Sequence, residues 1–171
     1  MKEYRKDSWI DPRIKIQESE TGKGLFATEP IQKGEIVTIW GGKVFTNIEN
    51  EAGLVKKYSA SRLDEDHWLG SDLEDPVVDD MCLNHSCDPN IWLVDEVTFE
   101  ARRDIMNDEQ VTADYSTWSI DDNWVMDEQC QCGSSLCRHV VTGKDWMLPE
   151  LQERYKDHFV PFVNQWIKEA H

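Results

Sequence analysis

The chain has 171 residues, 39% of them hydrophobic and eight of them tryptophan, which allows one domain with a substantial core and leaves little room for two. Its formal charge of −16 is first a solubility device; it argues against direct nucleic-acid binding, which needs clustered Lys and Arg, and suits a basic protein or peptide partner. No apolar run approaches membrane-spanning length and Met1-Lys2-Glu3-Tyr4 opens no signal peptide, so a soluble, cytoplasmic protein is expected, or a nuclear one in a eukaryote.

Residues 13–45 read as short strands broken by turns. Arg13-Ile14-Lys15-Ile16 alternates, Gly22-Lys23-Gly24 reads as a turn, Leu25-Phe26-Ala27 resumes an apolar run, and Ile36 to Trp40 is rich in β-formers. Glu49 to Tyr58 reads as a short helix. In the acidic stretch Leu63 to Asp80, His67-Trp68-Leu69 reads as a strand and the rest as loop. Ile91 to Val94 and Val97 to Ala101 flank Asp95-Glu96 as a hairpin, and Glu109 to Tyr115 adds a strand. Pro149 suits a first helical turn, with Leu151, Tyr155 and Phe159 at helical spacing; a second helix after Pro161 carries Phe162, Val163, Trp166 and Ile167.

Gly22-Lys23-Gly24-Leu25-Phe26-Ala27 fits the loose G-x-G-x-x-A pattern of dinucleotide sites. That pattern requires a helix behind it, and Pro30 and Gly34 follow instead, so the reading is rejected. Five cysteines, an odd number in a chain read as intracellular, point to metal ligands rather than disulfides. Cys130, Cys132 and Cys137 (C-x-C-x4-C) surround Gly133-Ser134-Ser135, a spacing that bends around a soft metal. Three thiolates leave a tetrahedral zinc site one ligand short, and Cys87 is the natural fourth. Cys82 is then the spare thiol, packed as a small apolar side chain. A catalytic pair of His85 and Cys87 is a poor reading, since the two are close in sequence and no third group orients them. His67, His139, His158 and His171 read as structural.

In combination these motifs resemble the SET-domain protein lysine methyltransferases, over nearly the whole chain. Gly22-Lys23-Gly24 is similar to that family's N-terminal G-x-G, and Gly34-Glu35-Ile36-Val37 with Trp40 and Gly42 to its G-E-x-I…Y-x-G region. Asn84 to Asn90 reproduces its N-H-S-C-x-P-N signature without a mismatch. Glu109 to Tyr115 resembles its E-E-L-T-x-D-Y strand, and Cys130 to Arg138 its post-SET zinc motif.

The resemblance implies a mostly β fold of small sheets with a knot-like crossing of the Tyr115 segment near Asn84, followed by C-terminal helices. It implies a single domain over residues 1–171, with a SET core over 12–119, a zinc segment over 128–143 and a helical tail over 145–171, like the compact free-standing members, many of them bacterial. It further implies S-adenosylmethionine and zinc as cofactors and Tyr115 as the catalytic residue. The cofactor contacts would be Gly22, Lys23, Gly24, Leu25, Trp40, Asn84, His85, Tyr115 and Trp146, with Trp146 covering the adenine. The metal ligands would be Cys87, Cys130, Cys132 and Cys137. The expected activity is methyl transfer to a lysine side chain of a basic protein or peptide. The alternative is a zinc-stabilised binding module of the same fold without activity.

Three positions depart from the family pattern. Trp40 stands for a tyrosine, Ala113 for an aromatic that limits the number of methyl groups added, and Met81 for an arginine. With Ala113, and with Leu93 where some relatives place a substitute tyrosine, the resemblance implies a roomy lysine channel open to a second or third methyl.

Overall fold

The computed structural model describes residues 2–19, 22–76 and 79–170. In chain order its strands are β1 (Trp9–Ile10), β2 (Ile14–Ser19), β3 (Gly22–Ala27), β4 (Ile36–Ile39) and β5 (Lys43–Thr46); a helix α1 (Asn47–Glu51) follows. Then come β6 (Ser61–Arg62), β7 (His67–Gly70), β8 (Asn84–His85), β9 (Ile91–Leu93), β10 (Thr98–Ala101) and β11 (Gln110–Ala113), and helices α2 (Pro149–Arg154) and α3 (Pro161–Glu169) close the chain. Three small sheets result, ordered β1-β4-β10-β9, β2-β3-β11-β8 and β5-β7-β6.

The second sheet holds the signature motifs. β2 and β3 pair antiparallel from Ser19↔Gly22 to Ile14↔Ala27, so Gly22-Lys23-Gly24 is the first half of a strand and not the expected turn. Gly24 leaves room for its neighbours: a Cβ there would displace the end of the Gln110 side chain and press on that of Asn84. β11 then lies antiparallel to β3 and parallel to β8, with Thr112↔Asn84 and Ala113↔His85. The Asn90 side chain clamps this junction. Its Oδ1 accepts from Thr112 N–H at 2.9 Å and its Nδ2 donates to Gln110 O at 2.8 Å. The crossing expected near Asn84 therefore rests on a side chain at the far end of the signature.

Local chemistry sets the element boundaries. α1 is shorter and earlier than the expected Glu49–Tyr58 helix, because Thr46 and Glu49 form a capping box and Gly53, at φ +73°, ends it. The Asp95 carboxylate accepts from Val97 N–H, Thr98 N–H and Thr98 O–H, which lengthens the expected two-residue hairpin turn to residues 94–97. The strand expected to run through Tyr115 stops at Ala113. Asp114 accepts from Ser116 N–H and opens a 3-10 turn over Tyr115–Thr117. α2 stops at Arg154, and Asp157 at φ +64° turns the chain back. Leu151, Tyr155 and Phe159 are nonetheless all buried, each contributing about 2–3 kcal/mol of apolar transfer. They join the main core with Leu25, Ile91, Leu93, Phe99 and Val111, so the tail is part of the domain's interior.

Candidate active site and metal centre

The four cysteines expected to bind metal come together, with all Sγ atoms within 4.8 Å of one another. The Cys87–Cys130 Sγ separation is 3.9 Å, against an edge of about 3.8 Å for a tetrahedron of thiolates around zinc. The donor set and its spacing fit that ion. Cys87 is fully buried and Cys130 nearly so, and burial pushes both thiols up, Cys87 to about 11. Burial works the same way at Cys132, but hydrogen bonds from the Cys87 and Ser134 backbone and from the Cys130 and Cys137 thiols together outweigh it and hold that thiol at about 7. A divalent cation supplies the compensation such a cluster lacks. The loop is closed by an antiparallel contact: Met126 N–H donates to Val141 O and Gly143 N–H to Trp124 O, both at 2.9 Å. Cys82 lies outside the cluster, half-buried against the main core.

His85 joins the metal centre to Tyr115. Its Nδ1 accepts from Tyr115 N–H at 3.2 Å, and its Nε2 lies 3.3 Å from Cys87 Sγ. Burial is the main cause that lowers its pKa to about 4, so the ring is neutral at pH 7. With Nδ1 accepting, the proton sits on Nε2 and points at the Cys87 sulfur. The 3.8 Å approach of His85 Nδ1 to Asp114 is thus no ion pair. His85 and Cys87 do touch, but the thiol is fully enclosed among three other cysteines and is placed where it could hold a metal, not where a substrate could reach it. His67 pairs with Asp64, His158 stacks on Trp92, and His171 lies outside the described residues.

Tyr115 stands where the signature loop, β11 and the following turn meet. Its hydroxyl donates to Leu83 O at 2.7 Å, and burial raises its pKa to about 12, so it is a neutral phenol at physiological pH. It faces a cavity of about 1360 Å³, larger than the ~300–1,000 Å³ typical of one small ligand and roomy enough for a cofactor beside an inserted side chain. Trp40, Trp68, Trp118 and Trp124 contribute to its wall. Trp118 lies edge-on to Trp40 at 5.1 Å and 5.2 Å from the Tyr115 ring, and Trp124 lies 6.3 Å from it. Across the mouth, Lys57 and Tyr58 reach Asp127 at 3.0 and 2.7 Å in an exposed and therefore weak contact.

Of the expected cofactor contacts, Lys23, Trp40, Asn84, His85 and Tyr115 line this cavity. Gly24 sits behind Gln110 and Asn84, which do line it, while Leu25 is core and Gly22 is exposed at the strand start. The Gln110 Nε2 is buried without a hydrogen-bond partner, an orphaned donor beside Asn84 that suits a polar ligand. Trp146 does not line the cavity: it packs 5.8 Å from Trp166 of α3. Ala113 and Leu93 are also turned away, both in the main core: alternation along β11 sends Gln110 and Thr112 to the cavity and Val111 and Ala113 inward, and alternation along β9 buries Leu93 with Ile91. Trp118 stands beside Tyr115, with Trp40 edge-on to Trp118, and Ala113 does not border the cavity. Neither the Leu83 carbonyl nor Gln110 carried a signal in the sequence. Trp118 and Trp124 did, in the density of tryptophan after Tyr115.

The sequence model of the SET domain matches residues 22–116. The chain is 30% identical over 143 residues to the histone-lysine N-methyltransferase ASHH3 of Arabidopsis thaliana, covering 75% of this chain and 38% of that protein. It is 29% identical over 150 residues to the variant-silencing SET domain-containing protein of Plasmodium falciparum, covering 78% of this chain and 6% of that one. The chain thus spans under half the length of these curated relatives. Among solved structures it resembles the methyltransferase domain of human histone-lysine N-methyltransferase SETMAR, with a TM-score of 0.61, 21% identity and coverage of 76% of this chain and 58% of that one.

Proposed function

The chain belongs to the SET-domain family, and on that premise we propose that it transfers the methyl group of S-adenosylmethionine to the side-chain amine of a lysine in a protein substrate. The observation that carries this reading is the Tyr115 hydroxyl, held by the Leu83 carbonyl at the wall of an aromatic cavity large enough for a cofactor and a lysine side chain. A non-catalytic binding module has no use for a phenol held there. S-adenosylmethionine would supply an electrophilic methyl on a sulfonium; Lys23, Asn84 and Gln110 are among the polar side chains that could hold it, beside a strand that Gly24 keeps free of a Cβ.

The chain's own residues provide position and dryness. The phenol already donates its proton to Leu83 O, so only its oxygen lone pairs are left to orient the amine or the methyl group. Trp40, Trp118 and Trp124 exclude water, which disfavours the ammonium and favours the neutral amine that reacts. Trp124, on the wall beside Tyr115, takes the aromatic covering role expected of Trp146. The acidic surface recruits a basic segment, so lysine-rich proteins such as histones are the substrates to try first.

The test is incubation of the full chain with labelled S-adenosylmethionine and core histones, or lysine-rich peptides, followed by mapping of the label. Label on lysine nitrogen supports the reading. Absence of transfer together with absence of S-adenosylhomocysteine binding would sink it.

A further inference from the structure

Asp114 directly precedes Tyr115 and has a fully enclosed side chain. Arg138 donates from both terminal nitrogens to its two oxygens, at 2.7 and 2.8 Å. The same guanidinium donates through Nε to Asp145 Oδ2 at 2.8 Å. Burial opposes the Asp114 charge, yet Arg138 beside it holds its carboxyl below the usual range. The carboxylate also accepts from Ser116 N–H at 3.0 Å, from Ser116 O–H at 2.8 Å and from Tyr155 O–H at 3.0 Å. Its orientation therefore fixes the turn that begins at Tyr115. Arg138, in turn, is anchored in the cysteine loop: it follows Cys137, and its own backbone N–H points at Cys87 Sγ from 3.3 Å. A planar guanidinium fork locks a carboxylate in one plane, which an ammonium cannot do.

We infer that Arg138 is a positioning residue for the proposed transfer reaction, seated on the metal loop and holding, through Asp114, the turn that aims the Tyr115 hydroxyl into the cavity. The inference rests on the reading given under Proposed function. Its consequence is that the state of the metal loop is felt at Tyr115 through this side chain, as well as through His85.

The experiment compares the full chain with Arg138→Gln and Arg138→Lys. It measures zinc content, kcat and KM on a protein that the wild type methylates, and the fluorine NMR signal of fluorotyrosine at position 115, assigned by its loss in Tyr115→Phe. With Arg138→Gln, zinc content stays at the wild-type value, kcat falls about tenfold or more, and KM moves by no more than about twofold. Arg138→Lys recovers only part of kcat, because it restores the charge without the fork; it is also the variant to read if Arg138→Gln does not fold. Removing zinc shifts the position-115 signal in the wild type and shifts it much less in Arg138→Gln. Wild-type kcat in a zinc-loaded Arg138→Gln overturns the inference, as does an equal fluorine shift in both proteins. Zinc lost together with activity also overturns it, since Arg138 would then only support the loop. A wild type that methylates nothing refutes the functional reading instead, and the fluorine measurement still decides the role of Arg138.

Discussion

Tyr115 is a neutral donor and not a base. Its phenol is pushed up to about 12 by burial, so it stays protonated across the pH range in which the protein is studied. A lysine amine, with an ordinary pKa of about 10.4, gains neutral fraction roughly tenfold per pH unit below that value. The rate should therefore rise from about pH 7 to pH 9 in the wild type. Tyr115→Phe should lower the rate about 100-fold while keeping the same slope, since it removes position and not a titrating group. A slope that changes with the Phe variant would assign the ionisation to Tyr115 and refute this role. Trp118 gives a second prediction. With Trp118 beside the phenol, Trp40 edge-on to Trp118 and Ala113 turned into the core, the product should stop at monomethyl-lysine, and Trp118→Leu should carry it to di- or trimethyl-lysine. Mass spectrometry of the product at long times decides this, and dimethyl product from the wild type would show that these rings leave room.

The cysteine loop and the signature loop act as one structural unit. Cys87 contributes its sulfur to the cluster, its carbonyl accepts from Arg154 at 3.2 Å, and its neighbours Asn84 and His85 line the cavity. Trp124 packs against the same cluster and also approaches Tyr115. Cys137→Ser should therefore release the metal and weaken S-adenosylhomocysteine binding about tenfold or more, although Cys137 does not line the cavity. Cys82→Ser should leave metal content intact. Calorimetry with metal analysis checks both; full cofactor affinity in a metal-free Cys137 variant would break the linkage, and metal loss in the Cys82 variant would overturn the ligand set. The strands flanking these loops were legible from β-rich runs, but their ends were not. Thr46, Asp95 and Asp114 each cap or turn the chain through a side chain, and those bonds move a boundary by a few residues where hydrophobic pattern is silent.

Taken as a whole, the molecule carries a formal charge of −16, which raises the local concentration of a basic partner and is screened over about 10 Å at 0.1 M salt. KM for a lysine-rich protein should rise steeply between about 0.05 and 0.3 M salt, while S-adenosylhomocysteine affinity changes little. Steady-state kinetics and calorimetry at matched salt test this, and a salt-independent KM would remove charge from the account of substrate choice. Among the described residues no helix is long and apolar enough to cross a membrane.

What the sequence by itself determined was the family and the four cysteines that the fold gathers into one cluster. Asn84 to Asn90, the Glu109–Tyr115 run and the C-x-C-x4-C spacing are short, ordered and chemically restrictive, so they can be read without knowing what lies across from them. The walls of the cavity were decided only in three dimensions. Side chains alternate along a strand, so the register of β11 against β3 and β8 turned Ala113 inward and Gln110 and Thr112 outward. The packing of the tail placed Trp146 on Trp166 and left Trp118 and Trp124 beside Tyr115. The partner of the Tyr115 hydroxyl is a backbone carbonyl, which every residue possesses and no sequence pattern marks. Arg138 meets Asp114 across 24 residues of chain because the cysteine loop folds back onto that turn. Contacts of this kind are properties of the closed chain and are written in no single segment of it.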